Sequence, residues 1–313
     1  MKNYKLSDET KTLPCGTVLH RIIATTTFTL ACGLTIPEGD VGGWIEKESN
    51  LSDNAWVFSD ALVYGNALVC DNALVYGNAK VSGNAKVSSN AEISDNAKVS
   101  GNAQVCGNAK VFGDALIYDS ALVSGDAGVY DNAEVYGDAK VYEDAQVYGK
   151  AKVFSNAKVS GNAKVYGDAL VAGDTQVFSN AKVYGDAQVY GETLVSGDAR
   201  VYGYALVSGN AQVSGNARVS GCAQVCDSAL VSGYARVSGD AKVTNASDYI
   251  VFKNSWSSDR YFTWTKSNDK WLVGCFYGTG DELIKKAYAD SENSGKHYEA
   301  CVKSVKTLWK TME

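Results

Sequence analysis

Every sixth residue from Leu51 to Val243 is aliphatic, and the register never slips. The position holds Val except at Leu51, Ile93 and Ile117; two places earlier, from Ala55 onward, stands Ala, replaced by Thr only at 175 and 193. Polar residues fill the remaining places, so the chain repeats the unit Ala-x-Val-x-Gly-Asn/Asp. Within a unit the small and aliphatic residues alternate with outward ones, the period of a β-strand. Ala55 and Val57 are expected to point in, and Trp56 and Phe58 out. The Gly-Asn or Gly-Asp that follows tolerates the left-handed backbone of a corner. Three such flat segments close a triangular coil of 18 residues. Stacked coils pair their strands in parallel, which satisfies the backbone from above and below. A period this strict decides the fold before any other argument.

The periodic stretch, residues 51–246, is flanked by two different segments. Residues 1–50 read as an N-terminal β cap, with strand character over Thr17–Thr27 and a lead-in at Gly42–Glu46. Such a cap is needed because a solenoid's end is an open strand edge. Residues 247–313 read as a small α+β domain. Strands are predicted over Tyr249–Phe252, Tyr261–Lys266 and Trp271–Tyr277, with a turn at Ser267–Asp269. Thr279 and Glu282 form a capping box that opens a helix through about Ala289. Tyr298, Cys301, Val302, Val305, Leu308 and Trp309 recur at helical spacing. Four of the six tryptophans (256, 264, 271 and 309) lie in this tail. Most are expected in its core; Trp256, Trp264 and Trp271 are also its candidate contact residues.

Charge narrows the function classes. Residues 1–50 carry 5 basic and 6 acidic groups, and residues 251–313 carry 10 and 8, which leaves the repeat mildly acidic. That balance argues against a general nucleic-acid binder. The polar start of the chain does not read as a signal peptide, and no stretch is apolar enough to span a bilayer. The eight cysteines are scattered; Cys70 and Cys106, two coils apart, are too distant for a disulfide. Reduced thiols in a cytoplasm are expected.

The segments VFSDAL (57–62), VYGDAL (165–170) and VYGDAQ (183–188) resemble the left-handed parallel β-helix of the hexapeptide-repeat superfamily. The likeness covers about two-thirds of the chain. It implies a mainly β protein of about 11 triangular coils, carrying the N-terminal cap and the small α+β domain. It also makes a homotrimer an assembly open to this chain, since trimers are common in the superfamily. The sequence Gly42-Gly43-Trp44-Ile45-Glu46, followed by Asn50-Leu51-Ser52 and the repeat, is similar to uncharacterised hexapeptide-repeat proteins of phages and prophages. So is the tail segment Trp264–Gly280. Some of those relatives carry an acetyltransferase label on repeat similarity alone, and the likeness supplies no catalytic residue.

Acyl and nucleotidyl transferases on this fold typically use a His general base on or beside a loop that interrupts the repeat. Here the only histidines are His20 in the cap and His297 in the tail, and nothing interrupts the 33 units. An unbroken coil stack also offers little concavity for a coenzyme. The chain therefore reads as a non-enzyme, with a coenzyme-A-dependent acyltransferase as the runner-up and no cofactor expected. Asp114, Asp126, Asp138, Asp144, Asp168, Asp174, Asp186 and Asp198 recur regularly, but they interchange with Asn, which suits corner geometry better than calcium. Gly278-Thr279-Gly280 lacks the spacing of a phosphate loop.

Sorting the outward residues by 18 reveals a face that the linear order hides. The place after Val runs Phe58, Tyr76, Ser94, Phe112, Tyr130, Tyr148, Tyr166, Tyr184, Tyr202, Ser220, Ser238, and eight of these eleven are aromatic. The neighbouring outward place holds Lys164, Lys182, Arg200, Arg218 and Arg236 on successive coils. In-register ladders of like residues are first of all a way to stabilise stacked strands. The same residues are the candidate contact face, for which the expected partner is a macromolecule. A protein comes first, then a glycan; nucleic acid is disfavoured by the flanking acids, and a membrane is not expected. The resemblance places such a scaffold in a bacterial host cytoplasm, facing a host or defence factor, with a virion component as the other setting.

Overall fold

The computed structural model describes residues 2–311 and divides into two compact units, residues 1–179 and 180–313. Residues 1, 312 and 313 lie outside the described residues, so the expected cap and tail are seen over 2–50 and 247–311. The two units together hold about 11 parallel coils of a β-solenoid, with a small sheet-and-helix region at the C-terminal end of the chain.

In the first unit, Tyr4–Thr12 pairs antiparallel with Val18–Ala24, which pairs antiparallel with Val41–Ile45. Val41–Ile45 then pairs in parallel with the repeat, Trp44 opposite Leu62 and Ile45 opposite Val63. The coil ladder thus begins before Leu51, which makes only an isolated bridge to Val69. Two glycines permit the changeover. A Cβ on Gly42 would sit 2.7 Å from the Val57 carbonyl oxygen, and one on Gly43 would sit 2.9 Å from that of Ala61. The polar segment Tyr4–Thr12 forms a strand that the alternation does not announce, because most of its residues face solvent.

From there the strands are two residues long and meet partners 18 residues away. Leu62–Val63, Lys80–Val81 and Lys98–Val99 stack on one face. Leu68–Val69, Lys86–Val87 and Gln104–Val105 stack on the second, and Leu74–Val75, Glu92–Ile93 and Lys110–Val111 on the third. The inward Ala and Val side chains are buried throughout. Thr175 takes an Ala place, and its hydroxyl donates to the Ala172 carbonyl at 2.7 Å. Corners use left-handed backbone at Gly, or at Asp, Ser and Glu where Gly is absent. A carboxylate at that place accepts a backbone N–H from the next coil, as Asp131 does from Gly149 at 3.1 Å. The following place forms amide ladders: Asn72 donates to Asn90, Asn90 to Asn108, and Asn108 to Asp126, over 2.9–3.2 Å.

Trp56 departs from the expected outward exposure. A hairpin of Phe28–Thr29 and Thr35–Ile36 lies against it, and the Phe28 ring meets the indole edge-on at 5.4 Å. The result is a fully buried Trp56.

Most of the ladder hydrogen bonds run in one direction. In the first unit Lys80 N donates to Ala97 O and Ser82 N to Val99 O, each at 2.9 Å; in the second, Arg200 N donates to Ala217 O at 2.9 Å. Each coil gives most of its ladder N–H groups to the coil that follows in sequence and, as parallel register requires, returns a smaller share to the coil before it. The N-terminal edge therefore presents mainly carbonyls, and the cap supplies donors to them, while Glu46 accepts the Gly65 N–H. Tyr4 donates to the carbonyls of Glu48 and Leu51, both at 2.8 Å, and Asn50 Nδ2 donates to those of Gly65 and Ala67. Arg21 donates to the carbonyls of Gly42 and Ser59.

The second unit ends in the opposite need, because its last coil presents N–H groups. Ser232 N donates to the Tyr249 hydroxyl, Arg236 N to Thr263 Oγ1 at 3.0 Å, and Lys242 N to Ser267 Oγ at 2.7 Å. Asp248 Oδ2 accepts from the N–H groups of Thr244 and Asn245. These acceptors come from an antiparallel four-stranded sheet, Tyr249–Asn254, Arg260–Thr265, Lys270–Val273 and Phe276–Gly278, and from the turn before it. The single strand expected over Trp271–Tyr277 is thus a hairpin, turned at Gly274 with φ +60°. Helix α1 (Gly280–Asp290) opens on the expected box, Thr279 Oγ1 accepting from Glu282 N while Glu282 accepts from Thr279 N. Helix α2 (Glu292–Lys310) follows, and Ser291 both ends the first helix and caps the second. Phe262, Trp264, Trp271, Leu283, Tyr298, Val302 and Val305 form the core between sheet and helices.

Candidate functional site

The aromatic places stack as strand register requires. In the first unit Phe112, Tyr130, Tyr148 and Tyr166 lie ring on ring, with centroids 4.8–4.9 Å apart and planes within 4°. A second ladder of Tyr118, Tyr136 and Phe154 has the same spacing. In the second unit Tyr184 and Tyr202 stack at 4.9 Å and 3°. Rings stacked in this way cover one another's faces, so what they offer outward is edges and hydroxyls. A sugar or a nucleobase that binds aromatics uses the ring face, which stacking within these ladders covers. Half-burial raises the pKa of Tyr130 and of Tyr148, which keeps both phenols as neutral donors. Tyr118 is pushed up to about 12, by burial first and by the Glu134 carboxylate second.

Around the second ladder the charges are paired: Glu134 accepts from Tyr118 at 3.3 Å and binds Lys152 at 2.9 Å. The predicted cation row differs. Lys164 in the first unit lies beside Gln146. In the second unit Lys182, Arg200, Arg218 and Arg236 are direct lateral neighbours in register. Among the described residues none of these five makes an ion pair. Like charges opposite one another oppose folding, so the row is a net cost that local pairing does not offset. Arg236, however, is not an open contact residue. Its guanidinium donates to the Gly274 carbonyl and its backbone N–H to Thr263, so it docks the tail on the last coil. Burial, and then Arg218, push its pKa down.

Two of the three tryptophans expected as tail contacts are unavailable. Trp264 and Trp271 are 1% and 0% exposed, as core alternation within their strands dictates. Trp256 stands in the turn between the first two strands of the sheet and is 70% exposed. With Leu308, His297 and Cys301 it lines an apolar groove of about 420 Å³ along α2. His297 is therefore half-buried in a groove wall. His20 sits in the cap with Nδ1 3.3 Å from the Ser7 carbonyl.

Sequence reasoning missed two further hollows. In the first unit Cys32, Leu34, Phe58, Leu74, Tyr76 and Glu92 line a groove of about 410 Å³, built where the 28–36 hairpin leans on the coils. In the second unit Arg218, Arg236, Arg260, Tyr234, Tyr261 and Asn216 line a cavity of about 260 Å³. Neither could be found from the repeat, because each needs a segment outside it. All eight cysteines are free thiols. Among the described residues no group of three or more His, Cys, Asp or Glu is placed to hold a metal, and no helix is long and apolar enough to cross a membrane.

The family described as YdcK Beta solenoid repeat matches residues 211–221, nearly two hexapeptide units. No curated protein matches the chain. The match agrees with the coil geometry on the fold and assigns no activity: the chain is a β-solenoid repeat protein.

Proposed function

We propose that the chain is a non-enzymatic binding scaffold, whose flat solenoid face and C-terminal region meet an acidic surface of a macromolecular partner, a protein. The observation that supports this most is the row Lys182, Arg200 and Arg218, laterally adjacent and without carboxylate partners. A folded protein keeps such a row at a cost in stability, and a bound acidic surface offsets that cost. The stacked tyrosines beside the cations favour a protein over a glycan, because they present hydroxyl edges rather than open faces. The likeness to phage and prophage hexapeptide-repeat proteins makes the partner a host or defence protein in a bacterial cytoplasm. The test is capture of a partner from host lysate by the full chain, against an Arg200→Glu/Arg218→Glu variant that reverses the row. Parallel calorimetry with acetyl-CoA addresses acyl transfer: binding heat there, with no captured partner, would replace the scaffold reading by the enzyme one.

A further inference from the structure

The cavity of about 260 Å³ in the second unit joins three arginines from two different structural elements. Arg218 and Arg236 are neighbours on adjacent coils. Arg260 opens the second strand of the tail sheet, and its Cδ lies 3.4 Å from the position a Cβ on Gly274 would take. Gly274 carries the carbonyl that anchors Arg236. The tail's hairpin turn therefore brings Arg260 and Arg236 to one wall. The only carboxylate lining the cavity, Asp259, is bound to Lys253 at 2.7 Å. Among the described residues none of the three arginines has an ion pair. Tyr234 and Tyr261 stack at 4.1 Å and line the same cavity, and Asn216 adds an amide.

Three guanidinium groups in a concave, partly desolvated space make a strong field for an anion. Guanidinium is planar and donates in a fork that matches phosphate oxygens. We propose that this cavity is a binding site for the phosphoryl group of a small ligand, with Arg218 and Arg260 as its direct contacts and Arg236 as the fixed wall behind them. The proposal does not rest on the protein-partner reading: it concerns a small molecule, and either can fail alone.

The test is calorimetry of the full chain with inorganic phosphate, pyrophosphate, ADP and a sugar phosphate, with sulfate and chloride as controls. Phosphate-bearing ligands are expected to bind and sulfate to bind less; the rank among the four tells free phosphate from a nucleotide or sugar source. An Arg218→Gln/Arg260→Gln variant is expected to lose about tenfold or more in affinity, the scale of a lost charge-assisted contact. Should that variant fail to fold, modification of wild-type arginines by phenylglyoxal, mapped by mass spectrometry, gives the same answer. Ligand is expected to protect Arg218 and Arg260 and to leave Arg200 reactive. No heat with any phosphate-bearing ligand, an undiminished affinity in a folded double variant, or equal labelling with and without ligand would each overturn the assignment.

Discussion

At the scale of single residues, the corner place is the most constrained in the repeat. Gly125 has φ +71°, and a Cβ there would lie 2.7 Å from the Glu143 nitrogen of the next coil. Its neighbour in that column, Glu143, also has positive φ, and its carboxylate accepts the Gly161 N–H. Corner places thus admit Gly freely and polar residues at some cost, while β-branched side chains are excluded. Gly125→Val is predicted to destabilise by about 2 kcal/mol or more, from left-handed backbone and close contact together. Asp131→Gly should stay near neutral, because it relieves φ +59° as it loses one hydrogen bond to Gly149. Paired thermal melts check this, and equal losses in the two variants would refute the corner argument. The inward and corner residues were legible in the sequence because both follow the six-residue period. Trp56 was not, because its cover comes from the Phe28 hairpin, whose packing has no period to read.

At the scale of elements, the two caps answer a chemical polarity built into the coils. Mainly carbonyls face the N-terminal cap and mainly N–H groups face the tail, so the first supplies chiefly donors and the second chiefly acceptors. The tail's first two strands, its helices and its capping box could be read from local pattern, whereas the turn at Gly274 that splits the expected third strand could not. The tail's capping role could not either, since Tyr249, Thr263, Ser267 and Asp248 are ordinary polar residues until the last coil lies beside them. Thr263→Val keeps shape and removes the acceptor of the Arg236 N–H, in a residue 1% exposed. The predicted loss is about 1–3 kcal/mol, the cost of an unsatisfied buried donor. Denaturant unfolding measures it, and an unchanged midpoint would contradict the capping account. The N-terminal cap should fail in alkali. Burial, and then Glu48, push Tyr4 up to about 12, above the ordinary phenol value of 10. With its folded value raised, Tyr4 contributes fully below pH 10, and that contribution falls as pH rises towards about 12. The alkaline loss of thermal stability should shrink in Tyr4→Phe; an identical loss would show that Tyr4 does not govern it.

At the scale of the whole molecule, the sequence made the coil stack and its outward rows plain and left the cavities obscure. Periodic places repeat their environment, so one unit predicts the rest. The cavities arise where non-repeating segments pack, and no period describes that packing: Arg260 lines one cavity with Arg236, and Trp256 lines a groove along α2. The capping role also changes how the tail can be studied. A chain cut after residue 248 would open the N–H edge of the last coil, and such edges pair with other chains. Light scattering should show concentration-dependent self-association of the cut chain beyond that of the full one, and identical behaviour of the two would argue against the edge account. Point variants are therefore the proper way to separate the candidate surfaces.

The most direct measurement of the scaffold claim is affinity capture from host lysate, with bound proteins identified by mass spectrometry. Four baits are needed: the full chain, Tyr130→Ser/Tyr148→Ser, Arg200→Glu/Arg218→Glu, and Trp256→Ala/Leu308→Ala. The account predicts a specific protein bound by the full chain and lost with the reversed cation row. Capture of nothing above controls, or a partner held equally by all four baits, would contradict it.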